Sequence, residues 1–168
     1  MKAVVVIESA FGNVQHVGES IAAGLASCGW QTQVVGINDA PAQIPADTDL
    51  LLAGAPTHNR TLSTATTRKL AAAEGGIENL TGIREWLESA AIPERASVTI
   101  FDTASGHGWL NGSAARTAAK LMNQRFPDLE IACRTFVVQH AKGPLAPGEL
   151  EAAHEWGREL ATSRRRPD

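Results

Sequence analysis

The chain has 168 residues, 43% hydrophobic and 20% charged, with a formal net charge of −3. That length is about one domain and suffices to bury a core without disulfides or metals, and the composition is ordinary for a globular protein. So small a negative balance argues against nucleic acid as the main partner, which would call for a basic face.

Other global features narrow the class further. Cys28 and Cys133 have no CxxC or metal-ligand spacing, and read as small buried apolar side chains in a reducing compartment. The opening MKAVVVIESA carries one lysine and an apolar run too short for a secretory signal. No stretch approaches the roughly 18 apolar residues that span a membrane. A cytoplasmic protein with no nucleic-acid or membrane partner is expected.

In chain order, AVVVI at 3–7 is a β-branched run suited to a strand covered on both faces. From Asn13 to about Cys28, Val14, Val17, Ile21, Leu25 and Cys28 recur at helical spacing, and Gly29 falls where a left-handed cap would close the helix. QTQVVGI at 31–37 is a second strand, followed by a loop rich in proline and turn formers. DLLLAGA at 49–55 is a third strand, and 64–91 reads as helix interrupted at Gly75-Gly76. SVTIFDT at 97–103 and EIACRTFVVQ at 130–139 are strands on either side of a helix over 112–125. The last helix runs from about Pro147 to Ala161, with Glu149 and Glu151 in its first turn. Residues 1–163 are expected to form one unit, and the basic 164–168, RRRPD, a frayed tail. Trp30, Trp86 and Trp156 read as core or rim packing.

Five short strands alternating with helices imply an α/β fold, a doubly wound parallel sheet. Ligands of such sheets lie beyond the carboxyl ends of the strands, at the switch point of the strand order. Strand one is followed by Ser9-Ala10-Phe11-Gly12-Asn13-Val14, strand three by GAPTHNRTLS at 54–63, and strand four by TASGHGWLNGS at 103–113. All three are rich in glycine, hydroxyls and imidazoles, whereas the loops at the opposite end carry plain turn residues and charges. In the first loop, unpaired N–H groups at a helix start can hold an anion with no Lys or Arg. Gly12 permits a tight turn and close approach, Ser9 adds a hydroxyl, and Asn13 can cap the helix or meet the anion. The loop has neither GxGxxG nor GxxxxGK[ST].

Together, the Ser-x-Phe-Gly-Asn loop, APTHNR and FDTASGHGWLNGSAAR resemble the flavodoxin family, in its short-chain form, over nearly the whole chain. The resemblance implies five strands in the order 2-1-3-4-5 and FMN as cofactor. It places the phosphate at Ser9, Phe11, Gly12, Asn13 and Val14, with the Phe11 amide rather than its ring facing it. The flavin ring is expected between Pro56, Thr57, His58, Asn59 and Arg60 on one side and Thr103, Ala104, Ser105, Gly106 and His107 on the other. Many members have Thr where this chain has Val14, which removes one hydroxyl contact worth ~1 kcal/mol. Many also stack Tyr or Trp on the ring, and this chain has no Tyr. His58 and His107 are the candidates for the ring edges, while Trp109 is expected to pack at the base of the next helix. Three roles follow: an FMN electron carrier, an FMN-dependent NAD(P)H:quinone-type oxidoreductase, or a module that has lost FMN and serves regulation or protein contact. The expected partner is a redox protein or NAD(P)H, and the expected state a monomer or weak homodimer. His58, Arg60 and His107 near the ring, with Asp102 the one carboxylate nearby, imply a higher potential than that of low-potential carriers. Arg60 alone reads equally well as a solvated loop charge.

Overall fold

A computed structural model describes residues 1–106 and 112–164. The first strand, β1 (Lys2–Ile7), is buried from Ala3 onward, as its continuous β-branched run requires, and leads into helix α1 (Asn13–Ser27). There follow β2 (Gln31–Gly36), β3 (Leu50–Pro56), α2 (Ala65–Ala73), α3 (Ile83–Ser89), β4 (Ser97–Ala104), α4 (Ala114–Arg125), β5 (Ala132–Val137) and α5 (Glu149–Ser163). All neighbouring strands run parallel in the order 2-1-3-4-5.

Period-two alternation divides the sheet residues between two cores. Val4, Val6, Leu51, Ala53, Val98 and Ile100 face α3 and α4, where they meet Ile83, Leu87, Ala115, Ala118 and Met122. Val5, Ile7, Leu50, Leu52, Phe101 and Phe136 face α1 and α5. Phe101 and Phe136 meet edge to face with ring centroids 6.3 Å apart. Gly54 has no side chain because the Phe101 ring covers it: a Cβ there would lie 2.3 Å from Phe101 Cζ. Helices α1 and α5 cross backbone to backbone at Gly24 and Gly157. Trp30, Trp86 and Trp156 are all buried, consistent with packing roles.

The segment expected as one interrupted helix over 64–91 is two short helices separated by a nine-residue connection, 74–82. Gly75, at φ +92°, ends α2. The chain then turns back onto the β1–α1 loop, where the Ile77 N–H donates to the Ala10 carbonyl at 2.7 Å and Asn79 Nδ2 to the Ser9 carbonyl at 3.2 Å. Asn38 secures the same connection by accepting from the Leu80 N–H and donating to the Glu78 carbonyl. These bonds outweigh a local helical preference that Gly75-Gly76 had already weakened.

Neither cysteine is buried. Cys28 caps α1, half-buried and packed against the α1–α5 core, and Cys133 lies exposed on β5, an edge strand whose residues are mostly exposed or half-buried. Arg164, the first residue of the expected tail, donates to Thr99 Oγ1 at 3.1 Å, while 165–168 lie outside the described residues. Among the described residues, no helix is long and apolar enough to cross a membrane.

Candidate functional site

The β1–α1 loop is built around Ser9 and Gly12. Gly12 is the N-cap of α1 in a left-handed conformation, φ +86°, where a side chain would be strained. Its N–H donates to Ser9 Oγ at 3.1 Å, so the hydroxyl closes the loop from within. Asn13 is the first helical residue and caps nothing. Its Nδ2 donates to the Lys142 carbonyl at 3.1 Å, and Gly143 packs so closely that a Cβ there would lie 2.4 Å from Asn13 Oδ1. Val14 turns into the α1–α5 core and is buried. The first-turn amides of α1 have no intrahelical partners.

The loop after β3 is a tight turn in which the His58 and Thr61 amides donate to each other's carbonyls at 2.9 and 3.0 Å. Asn59 and Arg60 both take positive φ, 47° and 70°, as a two-residue turn of this hand demands. Gly112 lies against the Arg60 backbone, with its would-be Cβ 2.1 Å from the Arg60 carbonyl oxygen, which leaves this turn little room to move. The Thr57 N–H donates to the Thr103 carbonyl and so ties the β3 and β4 loops together. Asp102 was expected as a carboxylate beside the ligand. It lies instead fully buried beneath α4, because strand alternation turns it to the α4 face. Asp102 Oδ2 accepts from Thr57 Oγ1 at 3.0 Å, Ser113 Oγ at 2.7 Å and the Ala115 N–H at 3.0 Å. Burial, reinforced by the Arg68 charge, holds the His58 imidazole below its ordinary pKa. That shift favours the uncharged imidazole.

Beyond the carboxyl ends of β1, β3 and β4 lies a cavity of about 360 Å³, within the range of small-molecule sites. Of the sequence candidates, it is lined by Ser9, Phe11, Asn13, Val14, Pro56, Thr57, His58, Asn59, Thr103, Ala104 and Ser105. Gly12, Arg60 and Gly106 shape or flank these loops without lining the cavity. His107 and Trp109 fall outside the described residues. Sequence reasoning missed two walls, one formed by Thr67, Leu70, Ala71 and Glu74 of α2 and its end, the other by Val138 and Ala141 after β5. The second wall had a signal, since the β5 loop also leaves a carboxyl edge. For α2 the chain carried none beyond Leu70, a large apolar residue that stays 60% exposed.

Behind the loop, Glu8 and Arg68 are both buried. Arg68 donates to both carboxylate oxygens of Glu85, at 3.3 and 3.1 Å, and to Ser63 Oγ at 3.0 Å. Glu8 Oε2 accepts from the Ile83 N–H at 2.8 Å. Burial raises the Glu8 pKa against the pull of Ser63, Ile83 and Arg68. Glu85 is lowered: its partial burial is outweighed by backbone donors and by Arg68. Among the described residues, no group of three or more His, Cys, Asp or Glu is placed to hold a metal.

A parallel sheet in the order 2-1-3-4-5, with a cavity at the β1/β3 switch point, defines the flavodoxin-like fold. Solved structures agree. A flavodoxin from the domain Archaea is 20% identical, with a TM-score of 0.65 over 97% of this chain and 98% of that one. Flavodoxin 1 from Bacillus cereus is 17% identical, also with a TM-score of 0.65, over 96% and 98%. Rubredoxin oxygen:oxidoreductase from Desulfovibrio gigas is 13% identical with a TM-score of 0.62, and the match covers 96% of this chain but 35% of that larger one. No protein-family model and no curated protein sequence matches the chain.

Proposed function

We propose that the chain binds FMN noncovalently in the switch-point cavity and serves as an electron-transfer protein. The observation that carries this reading is the convergence of the loops after β1, β3 and β4 on one cavity of ligand size. The donor set suits a phosphate monoester. First-turn amides of α1 and the helix dipole favour an anion, Ser9 adds a hydroxyl, and Gly12 leaves the approach free of a side chain. The walls suit a flat aromatic ring, with Pro56, Ala104, Leu70 and Val138 as apolar surface and peptide groups of 57–59 and 103–105 at the edges. Phe11 fits the role of a packing residue, because its ring lies against Gly76 and under Lys142.

Bound FMN supplies the redox chemistry, and the protein supplies binding, orientation and electrostatics. Thr57, Asp102 and Ser113 hold the β3 loop on the start of α4, so the walls on either side of the ring are set before it binds. His58 lines the cavity, where its imidazole can donate or accept a hydrogen bond at the ring edge.

Titrating the apoprotein with FMN is expected to quench flavin fluorescence with one-to-one stoichiometry and to give a yellow complex that survives gel filtration. No quenching up to millimolar protein would end the flavin reading. Steady NAD(P)H consumption with a quinone by the loaded protein would replace the carrier role with the oxidoreductase one.

A further inference from the structure

The phosphate end of the cavity is flanked by an ion pair that the β1–α1 loop does not supply. Glu74, just past α2, lines the cavity. Lys142, in the β5–α5 loop, reaches back across the Phe11 ring with Nζ 5.5 Å from its centroid, and pairs with Glu74 Oε2 at 3.1 Å. The same ammonium donates to the Glu74 carbonyl at 3.2 Å. The Lys142 carbonyl accepts from Asn13 Nδ2, so the residue that carries this cation is tethered to the start of α1. Both side chains are more than half exposed, 52% for Lys142 and 61% for Glu74. A pair so exposed is weakly held, and its ammonium turns at little cost.

Resting on the FMN reading, we propose that Lys142 and Glu74 form the charge-selective rim of this site. Glu74 places a carboxylate beside the position of a phosphate dianion and disfavours it. Lys142 cancels that charge and offers its ammonium to the phosphate once the dianion arrives. The pair thereby sets the preference for a flavin bearing a terminal phosphate over the unphosphorylated flavin. The first-turn amides hold the phosphate; the rim decides how much its charge is worth to the site.

The test compares FMN and riboflavin affinities, by fluorescence quenching at low ionic strength, for the wild type, Lys142→Met and Glu74→Gln. Removing the lysine is expected to weaken FMN binding roughly three- to tenfold, and removing the carboxylate to strengthen it by a similar factor, as expected for one charge acting on a dianion near a protein surface. The FMN-to-riboflavin ratio should follow both changes, and added salt should shrink them. Two variants within twofold of the wild type, or shifting affinity in the same direction, overturn the proposal while the FMN site stands. A wild type that binds FMN no better than riboflavin overturns it as well. A wild type that binds neither overturns the flavin reading and this proposal with it.

Discussion

Gly157→Ala is expected to destabilise the protein by about 3 kcal/mol, at the upper end of typical overpacking costs. For a chain of this size that lowers Tm by roughly 6–12 °C. The sign is the informative part. In a helix interior, Ala is ordinarily better than Gly by up to about 1 kcal/mol. Here a Cβ on Gly157 would lie 2.2 Å from the Ile21 carbonyl oxygen and 3.1 Å from Gly24 Cα. Across the same contact, a Cβ on Gly24 would lie 2.0 Å from the His154 carbonyl oxygen. These obstacles are backbone, which cannot swing aside as a side-chain tip does, so the helices must separate. Separation would loosen the packing of Ile21, Leu25, Ala153, Trp156 and Leu160. It would also tilt α1, whose first turn carries the candidate anion site, so FMN affinity should fall with stability. Thermal unfolding of the variant decides the matter, and a raised Tm would show that α1 and α5 do not meet as described.

The second large effect is expected at Arg68. Replacing it with alanine removes the positive charge facing two carboxylates, one of them on the fully buried Glu8, and should cost about 3 kcal/mol at neutral pH. The pH dependence separates this from simple loss of packing. The folded-state pKa of Glu8 is raised, so its favourable contribution is complete below the ordinary carboxylate value of 4.5 and is lost as pH rises through the folded value. With Arg68 gone, that loss deepens, and the penalty should be larger at pH 8 than at pH 5. Glu8→Gln in the same background should recover part of it, because no buried carboxylate then lacks its counter-charge. Glu85 acts oppositely: its lowered pKa gives stability above 4.5 that is lost as pH falls through the folded value. Urea unfolding of the single and double variants at both pH values measures all of this. A penalty independent of pH, with no recovery in the double variant, would show that Glu8 does not depend on Arg68.

Much of the fold was legible because the strands are short β-branched or leucine runs that suit a sheet covered on both sides, and because Gly12, Gly29 and Gly75 punctuate the helices where positive φ is needed. Strand order was not in those runs; it came from the resemblance carried by the loops. What the sequence hid were effects of tertiary partners. The connection 74–82 is held off the helix by bonds to Ser9, Ala10 and Asn38, residues about forty to seventy positions away. Asn13 had the chemistry of a cap or an anion ligand, yet the β5–α5 loop engages its side chain. Asp102 was misplaced for another reason, since counting alternate residues from Phe101 along β4 already turns it toward α4. The α2 wall and the Lys142–Glu74 rim depend on how a helix and a distant loop come to rest beside the cavity. Local pattern does not encode that.

In the proposed site, backbone amides opening α1 hold the phosphate of a flavin at the β1/β3 switch point. Amide NMR of the labelled apoprotein, titrated with FMN and separately with riboflavin, tests it most directly. FMN is expected to shift strongly the amides of residues 10–14 together with those of 57–59 and 103–105, whereas riboflavin should shift the latter two groups and leave 10–14 nearly in place. Amides of 10–14 that do not respond to saturating FMN would contradict it.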